Sequence, residues 1–253
     1  HVATKPLPEP PSIYDAPDLY DLMFERFEFD LPFWKGVAKD AGGPLLDVGC
    51  GTGRVLLPLA REGADIDGID ASAAMIGQLL RKAAAEGRRV DARVADMRAF
   101  TPSRRYARVI CAFNSFAHAE DTEQQIAALR CMRAALAPGG ALVLHLSYPA
   151  PAYWAEPDGE PVLEAEMPIP GTDHRLQLWD GRVKHVVEQR QHSTNEYREV
   201  DANGDVVRSY VGDSIQRWVY RFELELLLRV AGFARWELFG GFEREPLERP
   251  DQQ

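Results

Sequence analysis

From Leu45 to Leu146, short apolar runs alternate with segments whose apolar positions recur every three or four residues. The runs suit buried strands of a parallel sheet, and the periodic segments suit amphipathic crossover helices. Strands are expected at 45–48, 65–70, 93–97, 109–114 and 141–146. Asp30-Leu31-Pro32 opens a helix that Gly42-Gly43-Pro44 stops, and Ser72 caps another that ends at Gly87. Thr122-Glu123-Gln124-Gln125 reads as a capping box for a further helix, halted at Pro138-Gly139-Gly140. Pro58 lies within the helical stripe of Val55, Leu56 and Leu59 and predicts a kink there. Strand-helix alternation of this kind predicts an α/β fold with a Rossmann-like, doubly wound sheet.

After Tyr148 the rhythm changes. Arg175–Trp179 and Arg182–Val187 read as strands joined by an Asp180-Gly181 turn, and a second hairpin is expected around Asn203-Gly204. An antiparallel β insertion after the fifth strand follows from that pattern. A helix is expected from Arg221 to Val230, closed by Gly232, and a strand at 236–239. The expected organisation is an N-terminal cap and core at 1–150, the insertion at 151–218, and a return to the core at 219–253.

Chemistry concentrates at Asp47-Val48-Gly49-Cys50-Gly51-Thr52-Gly53-Arg54, where the first apolar run ends in spaced glycines. Glycine adopts positive φ freely and lets backbone approach a ligand closely, which is how an α/β sheet builds a nucleotide site at its first strand-to-helix turn. Arg54 occupies the place where a dinucleotide-binding turn needs its third glycine, which counts against a nicotinamide dehydrogenase. Asp70 ends the second strand, where a carboxylate can accept from both ribose hydroxyls. Asp96 ends the third and could take an adenine amino group.

LLDVGCGTGR, GIDAS and VADM together resemble the motifs of class I S-adenosylmethionine-dependent methyltransferases. The resemblance implies that Asp47, Gly49 and Gly51 border the donor's methionine part, with Cys50 and Arg54 also in the cofactor site. Asp70 and Ala71 would hold the ribose, Met75, Asp96 and Met97 would surround the adenine, and Tyr20 and Phe113 would complete the cofactor site. The loop Phe113-Asn114-Ser115-Phe116-Ala117-His118-Ala119-Glu120-Asp121 resembles that of bacterial nucleotide-amino-sugar N-methyltransferases, which implies that His118 stands beside the acceptor amine. Those enzymes also carry an antiparallel insertion that often pairs subunits, so a homodimer through the insertion is expected. They tend to have Tyr where this chain has Phe24, a change that removes a hydroxyl from the acceptor side. A further antiparallel strand usually completes the family's sheet. No β-like run follows Gly240-Gly241, so that last strand is missing from this chain or the chain stops before it.

His118 is the expected catalytic residue, since an imidazole titrating near neutrality suits a general base. A loop histidine that only hydrogen-bonds locally is the competing reading. Tyr14, Phe24, Asn114, Ser115, Tyr148 and Trp154 are expected around the acceptor, with Tyr14 and Tyr20 closing over the site as a lid or simply packing. The net charge of −10 disfavours a nucleic-acid partner. Three scattered cysteines offer no disulfide framework, and His174, His185 and His192 lack metal-ligand spacing, so no metal is expected. No apolar run is long enough to span a membrane. The start at His1, without an initiator Met, lacks a signal core, and a reducing cytoplasm fits. The expected activity is transfer of a methyl group from S-adenosylmethionine to a nitrogen of a small metabolite, an amino sugar or nitrogen heterocycle of secondary metabolism, leaving S-adenosylhomocysteine. O-methylation and non-catalytic binding of S-adenosylmethionine or S-adenosylhomocysteine stay open.

Overall fold

Alternation along two central strands, β1 (Leu45–Val48) and β4 (Tyr106–Cys111), divides the core between the two faces of one sheet. Leu45 and Ile110 turn to one face and pack with Trp34, Leu56, Leu59, Ile76 and Leu79, while Leu46, Val48, Val109 and Cys111 turn to the other, against Leu129, Met132, Leu227 and Leu228. In this computed structural model residues 11–249 and 252 are described; the proline-rich start expected to be extended lies, up to Pro10, outside them.

The first face is covered by α2 (Leu31–Lys39), α3 (Leu56–Arg61) and α4 (Ala73–Ala85), and the second by α5 (Thr122–Ala135) and α7 (Arg221–Val230). With β2 (Ile66–Asp70), β3 (Asp91–Val94) and β5 (Leu136–Leu144), the sheet is parallel in the order β3-β2-β1-β4-β5. Its strand order reverses between β1 and β4, and ligands of open α/β sheets bind outside the carboxyl ends at such a point. The expected Rossmann-like sheet and antiparallel insertion are both present. After the short α6 (Pro151–Ala155) come β6 (Val162–Pro168), β7 (Arg175–His185), β8 (Arg190–Val200) and β9 (Val206–Arg217), a meander in that order. The helix α1 (Pro17–Phe24) packs Leu19 and Met23 against Leu176, Leu178 and Tyr197 of this second sheet.

Several local expectations need correction. Asp180-Gly181 is not a turn: β7 runs straight through it, pairing Asp180 with Asn195 and with Val162, and the chain reverses only after His185. Two flanking strands satisfy the backbone there, so tertiary pairing overrides local turn preference. The Asn203-Gly204 hairpin is as expected, with Gly204 at φ +89° and the Asp201 carboxylate accepting from Asn203 N and Asp205 N. Segment 236–239 forms no strand; Phe239 makes a single bridge to Pro246 and the Trp236 ring packs against the α5–α7 core. Pro58 makes no kink, because α3 begins at Leu56 and the first turn of a helix has no intrahelical use for that N–H. The α5 cap is Asp121, one residue before Thr122, with its carboxylate accepting from Gln124 N at 2.7 Å. Leu136 already pairs with Tyr106, so β5 starts before Pro138-Gly139-Gly140 and is irregular across it.

One buried ion pair fastens the glycine turn to α2. The Arg54 guanidinium meets both Asp30 carboxylate oxygens at 2.7 Å and donates to Phe27 O at 2.6 Å, with its side chain 7% and that of Asp30 0% exposed. Asp30 therefore does not cap α2 with its side chain; it also accepts from Trp34 Nε1 at 2.9 Å. Burial alone would raise the Asp30 pKa, but the hydrogen bonds and charge of Arg54 outweigh it and hold the carboxyl below its ordinary value. Removing one partner of a buried pair costs about 3–5 kcal/mol, so Asp30→Ala is expected to lose that much in urea unfolding at neutral pH. Because the folded pKa is lowered, the contribution is full above the unfolded carboxylate value, about 3.9, and fades as pH falls through the folded one. The gap between wild type and variant should narrow in acid. A loss below about 1 kcal/mol, as for an exposed pair, would contradict this role.

Candidate active site

Three glycines after β1 each meet a different demand. Gly49, Gly51 and Gly53 all have positive φ, at +75°, +53° and +88°. A Cβ on Gly49 would sit 2.5 Å from Ser115 Cβ, and one on Gly53 would sit 2.9 Å from Leu57 Cγ. At Gly51 nothing lies within 4 Å, so its backbone faces open space. Its N–H donates to Asp70 Oδ2 at 2.8 Å, while Ser72 N donates to Asp70 Oδ1 at 2.8 Å. The carboxylate at the end of β2 thus holds the turn in shape and keeps lone pairs for a ligand. Burial raises the Asp70 pKa against those two donors and His118.

Asp47 is 2% exposed and its Oδ1 has no hydrogen-bond partner. Burial pushes its pKa up to about 7; Arg54 opposes the rise, and Asp70 and Asp30 add to it. An orphaned acidic oxygen beside a glycine turn is a ready acceptor for a cationic group.

From this turn a cavity of about 730 Å³ extends to the inner face of the insertion. It brings together seventeen of the expected residues: Asp47, Gly49, Cys50, Gly51, Arg54, Asp70, Ala71, Met75, Asp96, Met97, Phe113, Asn114, Ser115, His118, Tyr14, Tyr20 and Phe24. Two do not join them. Tyr148 packs edge-on against Tyr220, and Trp154 packs against Trp218 at a centroid distance of 4.5 Å, both outside the cavity lining. Two others line the cavity with their charge already engaged. Arg54 is held by Asp30 and lies over the Phe113 ring at 4.6 Å. Asp96, past the end of β3, is gripped by Arg98, whose Nη2 and Nε reach its Oδ2 at 2.6 and 3.0 Å. The Cys50 and Cys111 thiols are buried with raised pKa values, so they are apolar filler rather than nucleophiles.

His118 ends a 3-10 turn, Ser115–His118, after β4. Its Nδ1 lies 2.8 Å from Ile215 O on β9, and its Nε2 lies 2.8 Å from the Tyr14 hydroxyl. A carbonyl only accepts, so Nδ1 carries the proton and Nε2 accepts from Tyr14. Burial lowers the His118 pKa despite Ile215, Asp70 and Glu120, and burial raises that of Tyr14, so both are neutral. Tyr14, Tyr20, Phe24 and Phe113 form a continuous aromatic wall, with successive ring centroids 6.1, 4.8 and 5.9 Å apart. Burial pushes the Tyr20 pKa up to about 12.

Other contributors were invisible in the sequence pattern. His145 looked like part of an apolar strand, yet its Nδ1 accepts from Phe113 N at 3.1 Å. Burial pushes its pKa down to about 4, so it stays a neutral acceptor. Phe113 and Asn114 sit at φ +52° and +63°, a costly conformation for a phenylalanine. Asn114 is pinned by Ser147 at both ends of its amide, and its N–H donates to His145 O. Asp180, Ser193, Asn195 and Asp213 bring polar groups from the insertion. The signal for Asp180 was its period-two register with Leu176 and Leu178, hidden by the apparent turn. Among the described residues no group of His, Cys, Asp or Glu is arranged to hold a metal ion, and no helix is long and apolar enough to cross a membrane.

Comparison with known proteins agrees with this layout. Residues 45–140 match the family described as "Methyltransferase domain". A cypemycin N-terminal methyltransferase from Streptomyces sp is 34% identical over 145 residues, 55% of this chain and 58% of that protein. A dTDP-3-amino-3,6-dideoxy-alpha-D-glucopyranose N,N-dimethyltransferase from Streptomyces fradiae is 33% identical over 136 residues, 50% of this chain and 51% of that protein. The matches thus span little more than half the length of these relatives. The CcbJ methyltransferase of Streptomyces caelestis superposes with a TM-score of 0.75 at 24% identity, covering 95% of each chain. The glycine turn and both acidic strand ends thus lie in a region that matches a methyltransferase domain, and the strand order is that of the Rossmann-like methyltransferase fold.

Proposed function

We propose that this chain transfers a methyl group from S-adenosylmethionine to a nitrogen of a small-molecule amine. The observation that carries the reading is one continuous cavity, with a nucleoside-type site at one end and the neutral His118–Tyr14 pair facing the other. The donor fits the residues present. Asp47 offers an unpaired oxygen to its ammonium, Asp70 offers lone pairs to the ribose diol, and Met75 and Met97 offer apolar walls to the base. Bound there, it supplies a methyl on a sulfonium centre, so the chain needs no leaving-group acid. The aromatic wall excludes water and presents ring faces to positive charge. The Tyr14 hydroxyl takes the proton that the acceptor nitrogen must shed while passing its own to His118 Nε2, which it already faces at 2.8 Å. A histidine held below its ordinary pKa suits an ammonium proton better than an alkyl hydroxyl, which favours N- over O-methylation. The two curated relatives are named for amine methylation, which supports the same choice. The division into residues 1–150, 151–218 and 219–253 goes with this reading. So do a small-molecule rather than nucleic-acid partner, a cytoplasmic setting and pairing of copies through the insertion, where Val183, Val206 and Val207 are exposed.

Two outcomes test the proposal. Asp47 titrates near 7, so it is protonated below and charged above; affinity for S-adenosylhomocysteine should rise as pH passes through that value. Calorimetry is expected to show a gain of roughly tenfold from one unit below to one above, absent in Asp47→Asn. A pH-independent wild type would remove Asp47 from the donor site. His118→Ala should lower turnover about 100-fold or more against a panel of amines, read as S-adenosylhomocysteine formed, with its own binding unchanged. Equal losses in both would assign His118 a structural role.

A further inference from the structure

We propose, resting on the methyltransferase reading, that the acceptor is a phosphate-free amine arriving as an ammonium ion, and that Asp180 of the insertion recognises it. The cavity beyond His118 is acidic. Asp180 and Asp213 line it from the insertion and Glu120 from the loop after β4. Among the described residues the arginines that line it are Arg54 and Arg98, and Asp30 and Asp96 respectively engage each through two hydrogen-bonded nitrogens. The nearby insertion cations are engaged as well: Arg190 faces Glu120 at 3.7 Å, and Arg217 faces Glu223 at 2.6 Å.

Asp180 is 7% exposed; its Oδ2 lies 3.1 Å from Arg182 Nη2, its Oδ1 makes no full hydrogen bond, and burial raises its pKa against the nearby Ser193 hydroxyl. That guanidinium is also shared with Glu156 and Glu164, so three carboxylates surround one cation and negative charge is in excess. A pyrophosphate entering here would be stripped of water beside carboxylates with no cation to receive it, which is strongly unfavourable. An ammonium meets the opposite situation: the local field draws it in and an unpaired oxygen awaits a donor. The Asn195 amide adds a neutral partner for acceptor hydroxyls, while Ser193, accepting from Gln191 Nε2 at 2.5 Å and turned to Asp180, holds that carboxylate in place. The chain thus departs from its nucleotide-sugar relative in the part of the acceptor that is read, while keeping the chemistry.

The test uses the whole chain loaded with S-adenosylhomocysteine and two calorimetric probes: thymidine diphosphate, and the methyl glycoside of 3-amino-3,6-dideoxyglucose. The glycoside is expected to bind, and Asp180→Asn to weaken it at least about tenfold, the loss of one charge-assisted hydrogen bond. Asp180→Glu should restore part of that loss, and S-adenosylhomocysteine affinity should stay unchanged in both variants. Thymidine diphosphate should give no binding heat at concentrations that saturate with the glycoside. Binding of the diphosphate, no binding of the glycoside, or indifference of the glycoside to Asp180→Asn overturns the inference. If Asp180→Asn fails to fold, Asp180→Glu decides alone: the glycoside must bind it more weakly than wild type while S-adenosylhomocysteine binding is unchanged, and equal glycoside affinity overturns the inference. A wild type that does not bind S-adenosylhomocysteine would instead strike the methyltransferase reading, so the two failures are distinct.

Discussion

A single backbone carbonyl decides what His118 can do. Ile215 O, on β9, accepts from His118 Nδ1 and so leaves Nε2 as the basic atom on the cavity side. The same strand holds the group that faces Nε2. Gly212 leaves no room for a Cβ, which would lie 2.5 Å from Ile13 N, so the segment bearing Tyr14 crosses β9 at van der Waals contact. Asp213 N donates to Pro11 O and the Tyr210 hydroxyl donates to Ser12 O, fastening that crossing. The insertion is therefore not an appendage: without β9, neither the tautomer of His118 nor the position of Tyr14 is set.

Precision on the opposite wall comes from strain held in place by hydrogen bonds. Two consecutive non-glycine residues with positive φ cost on the order of 1–3 kcal/mol each, and the protein retains them at Phe113 and Asn114. His145, Ser147 and the Ala112 carbonyl over-determine that corner, and its distortion turns the chain sharply from β4 into the short turn that ends at His118. Buried charge is handled similarly. Asp30 and Phe27 O occupy Arg54, which leaves no free guanidinium beside the glycine turn, while the Asp47 Oδ1 is left unpaired, a costly arrangement. Stability is given up at Asp47 and kept at Asp30.

The parallel sheet, the glycine turn and most of the residues that line the cavity at that turn were legible because each rests on local chemistry. Apolar runs and periodic helices carry their own signal, and so do glycines followed by an acid at the end of the next strand. Tertiary choices were harder to see. Asp180-Gly181 has the composition of a turn, but two neighbouring strands absorbed it into β7 and turned its carboxylate toward the cavity. Tyr148 and Trp154 follow the fifth strand closely, yet each found another aromatic partner away from the cavity. Arg54 and Asp96 line the cavity as expected, but that Asp30 and Arg98 take up their charges was not legible, since one partner is distant in sequence and the other stands in a loop. His145 shows the same limit, since an apolar strand gives no hint that one imidazole will hold a strained backbone.

Long-range proton–nitrogen NMR of the His118 imidazole addresses the central arrangement most directly. The account predicts a neutral ring at pH 7 with the proton on Nδ1 and a bare Nε2, persisting below the ordinary histidine pKa of about 6.5. A ring protonated on Nε2, or one titrating at its ordinary value, would contradict it.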